Sequence, residues 1–355
     1  MSEERDHTTD RGRDGRGVRA PLGTERARSE TAASDHSEMD RRDFLLKAAV
    51  ATLGTVTLAS CDEATREAFF QQHFHEMSAD DKAALIARHQ AAYKEKYGLN
   101  FEISVKGPLD GVQYGYALDL NRCVGCRRCE WECARENNCS RDPEIHWIRV
   151  LEMERSHGVD VLEAEQYYAP EKVPVLDQFY MPVACHHCDN PPCVKVCPVT
   201  ATWKEPDGIV VIDYDWCIGC RYCMAACPYG ARHFNWGEPK ISTPVACEEL
   251  PAAEGALQTA AEYPRPHTRD CVNTNTHALG NVPRPLGVVE KCTFCIHRTR
   301  EGRYPACVEI CPVGARKFGN LLDENDEVRY ILEHKRVFIF KEELNTQPRF
   351  FYYYG

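Results

Sequence analysis

The chain has 355 residues, 43% of them hydrophobic, which is enough for two modest domains or one large one. Its formal net charge of −11 argues against a nucleic-acid partner, because a phosphate backbone needs a basic face. The 20 cysteines are the outlier, and such a density means either a disulfide framework or bound metal.

Residues 1–38 are rich in Arg, Asp, Glu, Ser, Thr and Gly and poor in large apolar side chains, a composition that predicts a disordered leader. Asp40-Arg41-Arg42-Asp43-Phe44-Leu45-Leu46-Lys47 follows, then an apolar stretch that ends Leu58-Ala59-Ser60-Cys61. That stretch is shorter than the roughly 20 residues a membrane-spanning helix needs. A charged region, a short apolar region and small residues make 39–61 a signal peptide, and the arginine pair resembles the twin-arginine export signal. The competing reading is a buried helix with a chance arginine pair. The end of the stretch also resembles a lipobox, with Cys61 as the lipidation candidate; cleavage elsewhere or a retained anchor stands beside it. Met39 competes with Met1 as the true start.

Residues 62–100 read as a helical segment, with Ser78 as N-cap, Asp81 three residues on and Gly98 as stop. Ile86, Tyr93 and Tyr97 share a face suited to packing or docking. Short β-patterned runs over 114–120, 180–184, 208–213 and 287–289 each precede a cysteine cluster, and further strands are expected over 147–153 and 337–340. A helical turn or short helix is expected after the first and third clusters. The element recurs four times, which predicts internal duplication.

Cys123, Cys126, Cys129 and Cys133 stand in the spacing C-x2-C-x2-C-x3-C, and Cys217, Cys220, Cys223 and Cys227 repeat it. Cys185, Cys188, Cys193 and Cys197 have a wider second step, and Cys292 and Cys295 are followed after eleven residues by Cys307 and Cys311. The first and third runs have the bacterial-ferredoxin spacing, in which three thiolates wrap one cubane and the fourth reaches a neighbouring one. Motifs therefore come in pairs, so four motifs predict four [4Fe–4S] clusters on sixteen cysteines. A zinc site would use pairs of C-x2-C, but it needs neither the third cysteine nor a shared fourth. A zinc-stapled scaffold without redox activity is nevertheless the alternative of a different class.

In that order and spacing the motifs resemble one family, the four-cluster iron–sulfur subunits of dimethyl sulfoxide reductase, polysulfide reductase and formate dehydrogenase. The resemblance runs over about 111–354 and is most specific in Cys188-Asp-Asn-Pro-Pro-Cys193, Cys217-Ile-Gly-Cys220-Arg-Tyr-Cys223 and Cys311-Pro-Val-Gly-Ala315. It implies an α+β fold of two pseudo-symmetric ferredoxin-like domains, each holding two clusters. One would comprise 101–180 and 286–355, the other 181–233, with 234–285 as a surface insertion. It further implies four ligand sets: Cys123, Cys126, Cys129 with Cys311; Cys292, Cys295, Cys307 with Cys133; Cys185, Cys188, Cys193 with Cys227; and Cys217, Cys220, Cys223 with Cys197. The implied function is an electron wire between a catalytic subunit and a multi-pass quinone-binding membrane subunit. The catalytic partner would be a molybdopterin enzyme, a multihaem cytochrome or a hydrogenase. With the export signal, this places the chain on the periplasmic face of the cytoplasmic membrane. No apolar span follows Cys311, which favours the polysulfide-reductase type, where the quinone sits in a separate protein.

Cys247 and Cys271 form a disulfide candidate worth about 3 kcal/mol by loop closure, against two unrelated thiols. Cys139 reads as a small buried residue. His186 and His187 read as spacers rather than ligands, and Arg127, Arg128, Lys195 and Arg221 as either tuning charges or ordinary solvated ones. No Ser/His/Asp set, phosphate-binding glycine loop or paired carboxylate signature suggests substrate chemistry of its own.

Overall fold

The computed structural model describes residues 73–241 and 271–355. The leader, the signal peptide with Cys61, and Cys247 lie outside the described residues.

Helix α1 (Ala79–Tyr97) is fixed at both ends by local chemistry. The Ser78 hydroxyl accepts from the Asp81 N–H and Asp81 accepts from the Ser78 N–H, while Gly98 closes the helix in the left-handed conformation at φ 72°. The described residues before Ser78 are a turn rather than helix, because the Phe74 N–H is drawn to Asp213 Oδ2 at 3.2 Å. Ile86, Tyr93 and Tyr97 pack against a cluster that includes Phe101, Ile103 and Val272.

Strand β1 (Glu102–Ser104) is followed by β2 (Tyr114–Asp119), α2 (Arg128–Glu136), β3 (Arg149–Glu154) and β4 (Gln178–Val183). Then come α3 (Pro192–Lys195), β5 (Thr202–Lys204), β6 (Val210–Ile212), α4 (Tyr222–Ala226) and β7 (His233–Phe234). After the undescribed segment follow β8 (Asn275–His277), β9 (Val289–Glu290), α5 (Ile296–Thr299), α6 (Ala306–Glu309) and β10 (Arg316–Asn320). Helix α7 (Glu327–His334), β11 (Arg336–Phe338) and β12 (Phe350–Tyr354) complete the chain. The largest sheet has the order β10-β2-β12-β11, with β12 parallel to β2 and the other pairs antiparallel. Every residue of β2 is buried, since strands flank it on both sides and side chains cover both faces. Tyr116 of β2 stacks on Phe350 of β12 with centroids 4.5 Å apart. Two-stranded ribbons β3–β4, β5–β6, β7–β9 and the parallel β1–β8 surround it.

Two expectations need correction. The helices lie inside the cysteine motifs rather than after them: α2 carries Cys129 and Cys133, α4 carries Cys223, and α3 and α6 carry Cys193 and Cys307. The reading of 234–285 as a surface insertion fails for its described parts. Asn235, Ile241, Val272, Thr276 and Leu279 are buried, and β8 pairs with β1. The cause is internal hydrogen bonding that makes a polar stretch fit the interior. Asn138 Nδ2 donates to the carbonyls of Asn273 at 2.8 Å and Asn281 at 2.9 Å, and Asn281 Nδ2 donates to that of Asn275.

Candidate metal centre

The first and third motifs share a backbone. Gly125 (φ +72°) and Arg127 (φ 55°) precede α2, and Gly219 (φ +67°) and Arg221 (φ 64°) precede α4. These left-handed residues curl each loop back on itself. A Cβ on Gly125 would strike the Tyr180 ring, and one on Gly219 would strike the Gly287 carbonyl, so both loops also lie tight against their neighbours.

The curled loops close around hollows. Cys123, Cys126, Cys129 and Cys311 line one. Cys185, Cys188, Cys193 and Cys227 line a second. Cys197, Cys217, Cys220 and Cys223 line a third. Cys133, Cys292, Cys295 and Cys307 are the remaining four; burial raises the Cys133 thiol well above its ordinary value, and Cys139, Cys292, Cys295 and Cys307 add to the effect. There Asn137 Nδ2 lies 3.5 Å from Cys133 Sγ and 3.6 Å from Cys295 Sγ. Cys220 is exposed, whereas Cys185, Cys188, Cys193, Cys295 and Cys307 are buried.

Electrostatics tests whether these cysteines fit an iron–sulfur cubane. Burial, with the neighbouring Cys185 and Cys307, pushes the Cys292 thiol up to about 12; burial pushes Cys123 up to about 11 and Cys188 to about 12. Thiolates are stable there only beside bound positive charge. Yet three buried cations have no carboxylate partner among the described residues. Arg316 Nη2 donates to Cys129 Sγ at 2.9 Å and Nη1 to Tyr116 Oη at 2.9 Å. Arg232 Nη2 donates to Cys193 Sγ at 3.1 Å and to Thr202 Oγ1 at 3.0 Å. Lys291 Nζ donates to the carbonyls of Val210 and Cys292. Buried cations without counter-charge are costly, so these sites fit a group that is anionic overall and carries metal within it. A tetrathiolate cubane has that chemistry. A single zinc ion fits less well, since it needs neither the third cysteine of each run nor a fourth drawn from another motif.

The basic residues singled out within the motifs have other partners. Arg127 pairs with Glu130 at 2.8 Å, Lys195 binds Asn190, and Arg221 lies over Trp236 at 4.5 Å; Arg128 is buried. His186 stacks on Tyr229 and His187 on Phe294, and burial holds His186 down to about 3. Cys139 is fully buried. Cys271 is also fully buried and is disulfide-bonded.

Arg316 and Arg232 escape a search confined to the motifs. A repeat just beyond them carries the signal: Cys227-Pro-Tyr-Gly-Ala-Arg232 and Cys311-Pro-Val-Gly-Ala-Arg316.

A family described as a 4Fe-4S dicluster domain matches residues 176–259 and 252–321. A chain assigned as the iron–sulfur component of a dimethyl sulfoxide reductase in Halobacterium salinarum is 42% identical over 69% of this chain and 80% of its own. A component of the selenate reductase of Mesobacillus selenatarsenatis is 34% identical over 88% of this chain and 96% of its own. The iron–sulfur cluster-binding subunit of a menaquinone reductase from Nitratidesulfovibrio vulgaris is 34% identical over 68% and 88%. Buried cations facing cysteine-lined hollows and this breadth of likeness lead to one assignment: the chain belongs to the 4Fe–4S electron-transfer subunits of the dimethyl sulfoxide, selenate, arsenate and tetrathionate reductase family.

Proposed function

We propose that the chain relays single electrons through four [4Fe–4S] clusters, one held by each group of four cysteines. The two ends of the relay would be a catalytic or cytochrome subunit and a multi-pass, quinone-reactive membrane subunit. The observation that carries the count is the set of three hollows lined by four cysteines each, beside the four further motif cysteines Cys133, Cys292, Cys295 and Cys307. Two pseudo-symmetric halves are supported by the shared curl before α2 and α4 and by the repeated Cys-Pro-x-Gly-Ala-Arg phrase.

The bound cubanes would supply reversible one-electron redox chemistry. The protein's share is to exclude water and set the charge around them. Lys291 donates to the carbonyl of Cys292 and to that of Val210, which lines the second hollow, and this supports reading those two groups as neighbours within the relay. The exposed Cys220 marks one group that reaches the surface, where a partner can receive or deliver an electron.

We place the protein outside the cytoplasm, on the periplasmic face of the membrane. The twin-arginine-like sequence and the Cys271 disulfide both support this, since disulfides persist in oxidising compartments. Cys247 is the proposed partner of Cys271, and Cys61 the proposed lipid anchor. Anaerobic purification tests the central reading. Iron and labile sulfide near sixteen each per chain, with reduced-state electron paramagnetic resonance of interacting cubanes, is the expected result; colourless protein or stoichiometric zinc would overturn it.

A further inference from the structure

Lys291 is fully buried between the last residue of β9 and the first cysteine of the fourth motif. Its ammonium donates to the Cys292 carbonyl at 2.8 Å and to the carbonyl of Val210, the first residue of β6. The N–H of Val210 donates to His187 Nδ1 at 3.0 Å, so this ring nitrogen is an acceptor. Lys291 thus bridges the loop of the fourth motif and the wall behind the second. Two carbonyls solvate an ammonium but do not neutralise it. One of these carbonyls belongs to Cys292 of the fourth group, and the other to Val210, which lines the hollow of Cys185, Cys188, Cys193 and Cys227. Arg232 donates to Cys193 Sγ on that side. Among the described residues no carboxylate pairs with it. A neutral side chain would fill this space without the cost of burying a charge, so the charge itself calls for a role.

We propose that Lys291 is a shared electrostatic anchor for the two inner cysteine groups, stabilising an added electron on either side of the junction between the halves. This rests on the cluster reading above. Arg316 and Arg232 each donate to a single cysteine sulfur, whereas Lys291 donates to a backbone carbonyl at the edge of each of two groups. Its removal should therefore move two midpoint potentials together.

The test uses the full-length, cluster-loaded protein with Lys291→Met and Lys291→Arg, followed by redox titration monitored by electron paramagnetic resonance and by iron and sulfide counts. In iron-replete K291M, two of the four midpoints should shift to more negative values while the other two hold, and K291R should return both towards wild type. Four unmoved midpoints, four that move together, or K291R matching K291M would overturn the proposal. If K291M takes up no iron, K291R decides the question. Iron uptake with wild-type inner midpoints supports a need for charge, and loss of iron there too overturns it. Wild-type protein without iron would instead sink the cluster reading on which this one stands.

Discussion

Replacing Arg316 by glutamine would remove a buried guanidinium that donates to Cys129 Sγ at 2.9 Å. In the proposed relay, reduction would add one negative charge to the cluster at Cys129, so the lost cation would penalise the reduced form and the midpoint should fall. A hydrogen bond involving a charged group is worth about 1.5–3 kcal/mol. At about 59 mV per tenfold change in a one-electron equilibrium, that corresponds to roughly 60–130 mV. Coulomb's law at about 6 Å with an effective dielectric near 20 gives about 3 kcal/mol, at the upper end of the same range. Only the part that strengthens on reduction counts, so a fall near the lower end, about 60 mV, is expected. Arg316→Lys keeps the charge and should lose less than half as much. Tyr116→Phe controls for the bond that Arg316 also gives to Tyr116 Oη. The assay is a redox titration at matched iron content. A midpoint within about 20 mV of wild type, or equal falls in the glutamine and lysine variants, would refute the assignment of Arg316 as a charge-based tuner.

Three further outcomes follow from the geometry. Gly219→Ala forces a Cβ into the Gly287 carbonyl at a positive φ, and should lower stability by at least about 2 kcal/mol with selective loss of iron, read by thermal melts and iron counts. Cys271→Ser should cost about 2–4 kcal/mol, and non-reducing peptide mapping of the wild type should find Cys271 cross-linked. His277 is buried as a neutral ring, its Nδ1 accepting from Leu279 N–H at 3.1 Å and its Nε2 facing the Lys106 carbonyl at 3.0 Å; burial lowers it from 6.5 to about 3. Its folded-state value lies below the unfolded one, so its contribution is complete above pH 6.5 and fades on acidification towards 3. Between pH 6.5 and 5 that amounts to about 2 kcal/mol, and denaturant titrations of His277→Gln should show a pH slope smaller by that amount.

What the sequence makes legible is what local chemistry decides. Ser78, Asp81 and Gly98 announce α1 because caps satisfy backbone groups within a few residues. The three-residue steps of Cys123, Cys126 and Cys129 announce a loop curled round a hollow. Some strands of two or three residues, such as β5, β7 and β8, carry too little periodicity to be read. The stretch 271–285 looks like surface because its asparagines are polar; only long-range bonds such as Asn138 to Asn273 reveal that it is interior. Lys291 and the two arginines are invisible as a system because their relation to the sulfurs depends on which loops the fold brings together.

The pairing of distant motifs dictates a timetable for assembly. Cysteines 185–227 contribute two complete groups from one continuous stretch, which can close once that stretch has left the ribosome. Cys123, Cys126 and Cys129 must wait for Cys311, nearly two hundred residues later, and for β12 to slot between β2 and β11. Non-local contacts form late because chain entropy must be overcome first. The loop around Cys123, Cys126 and Cys129 therefore has to be kept reduced and open until Cys311 has been made and brought to it.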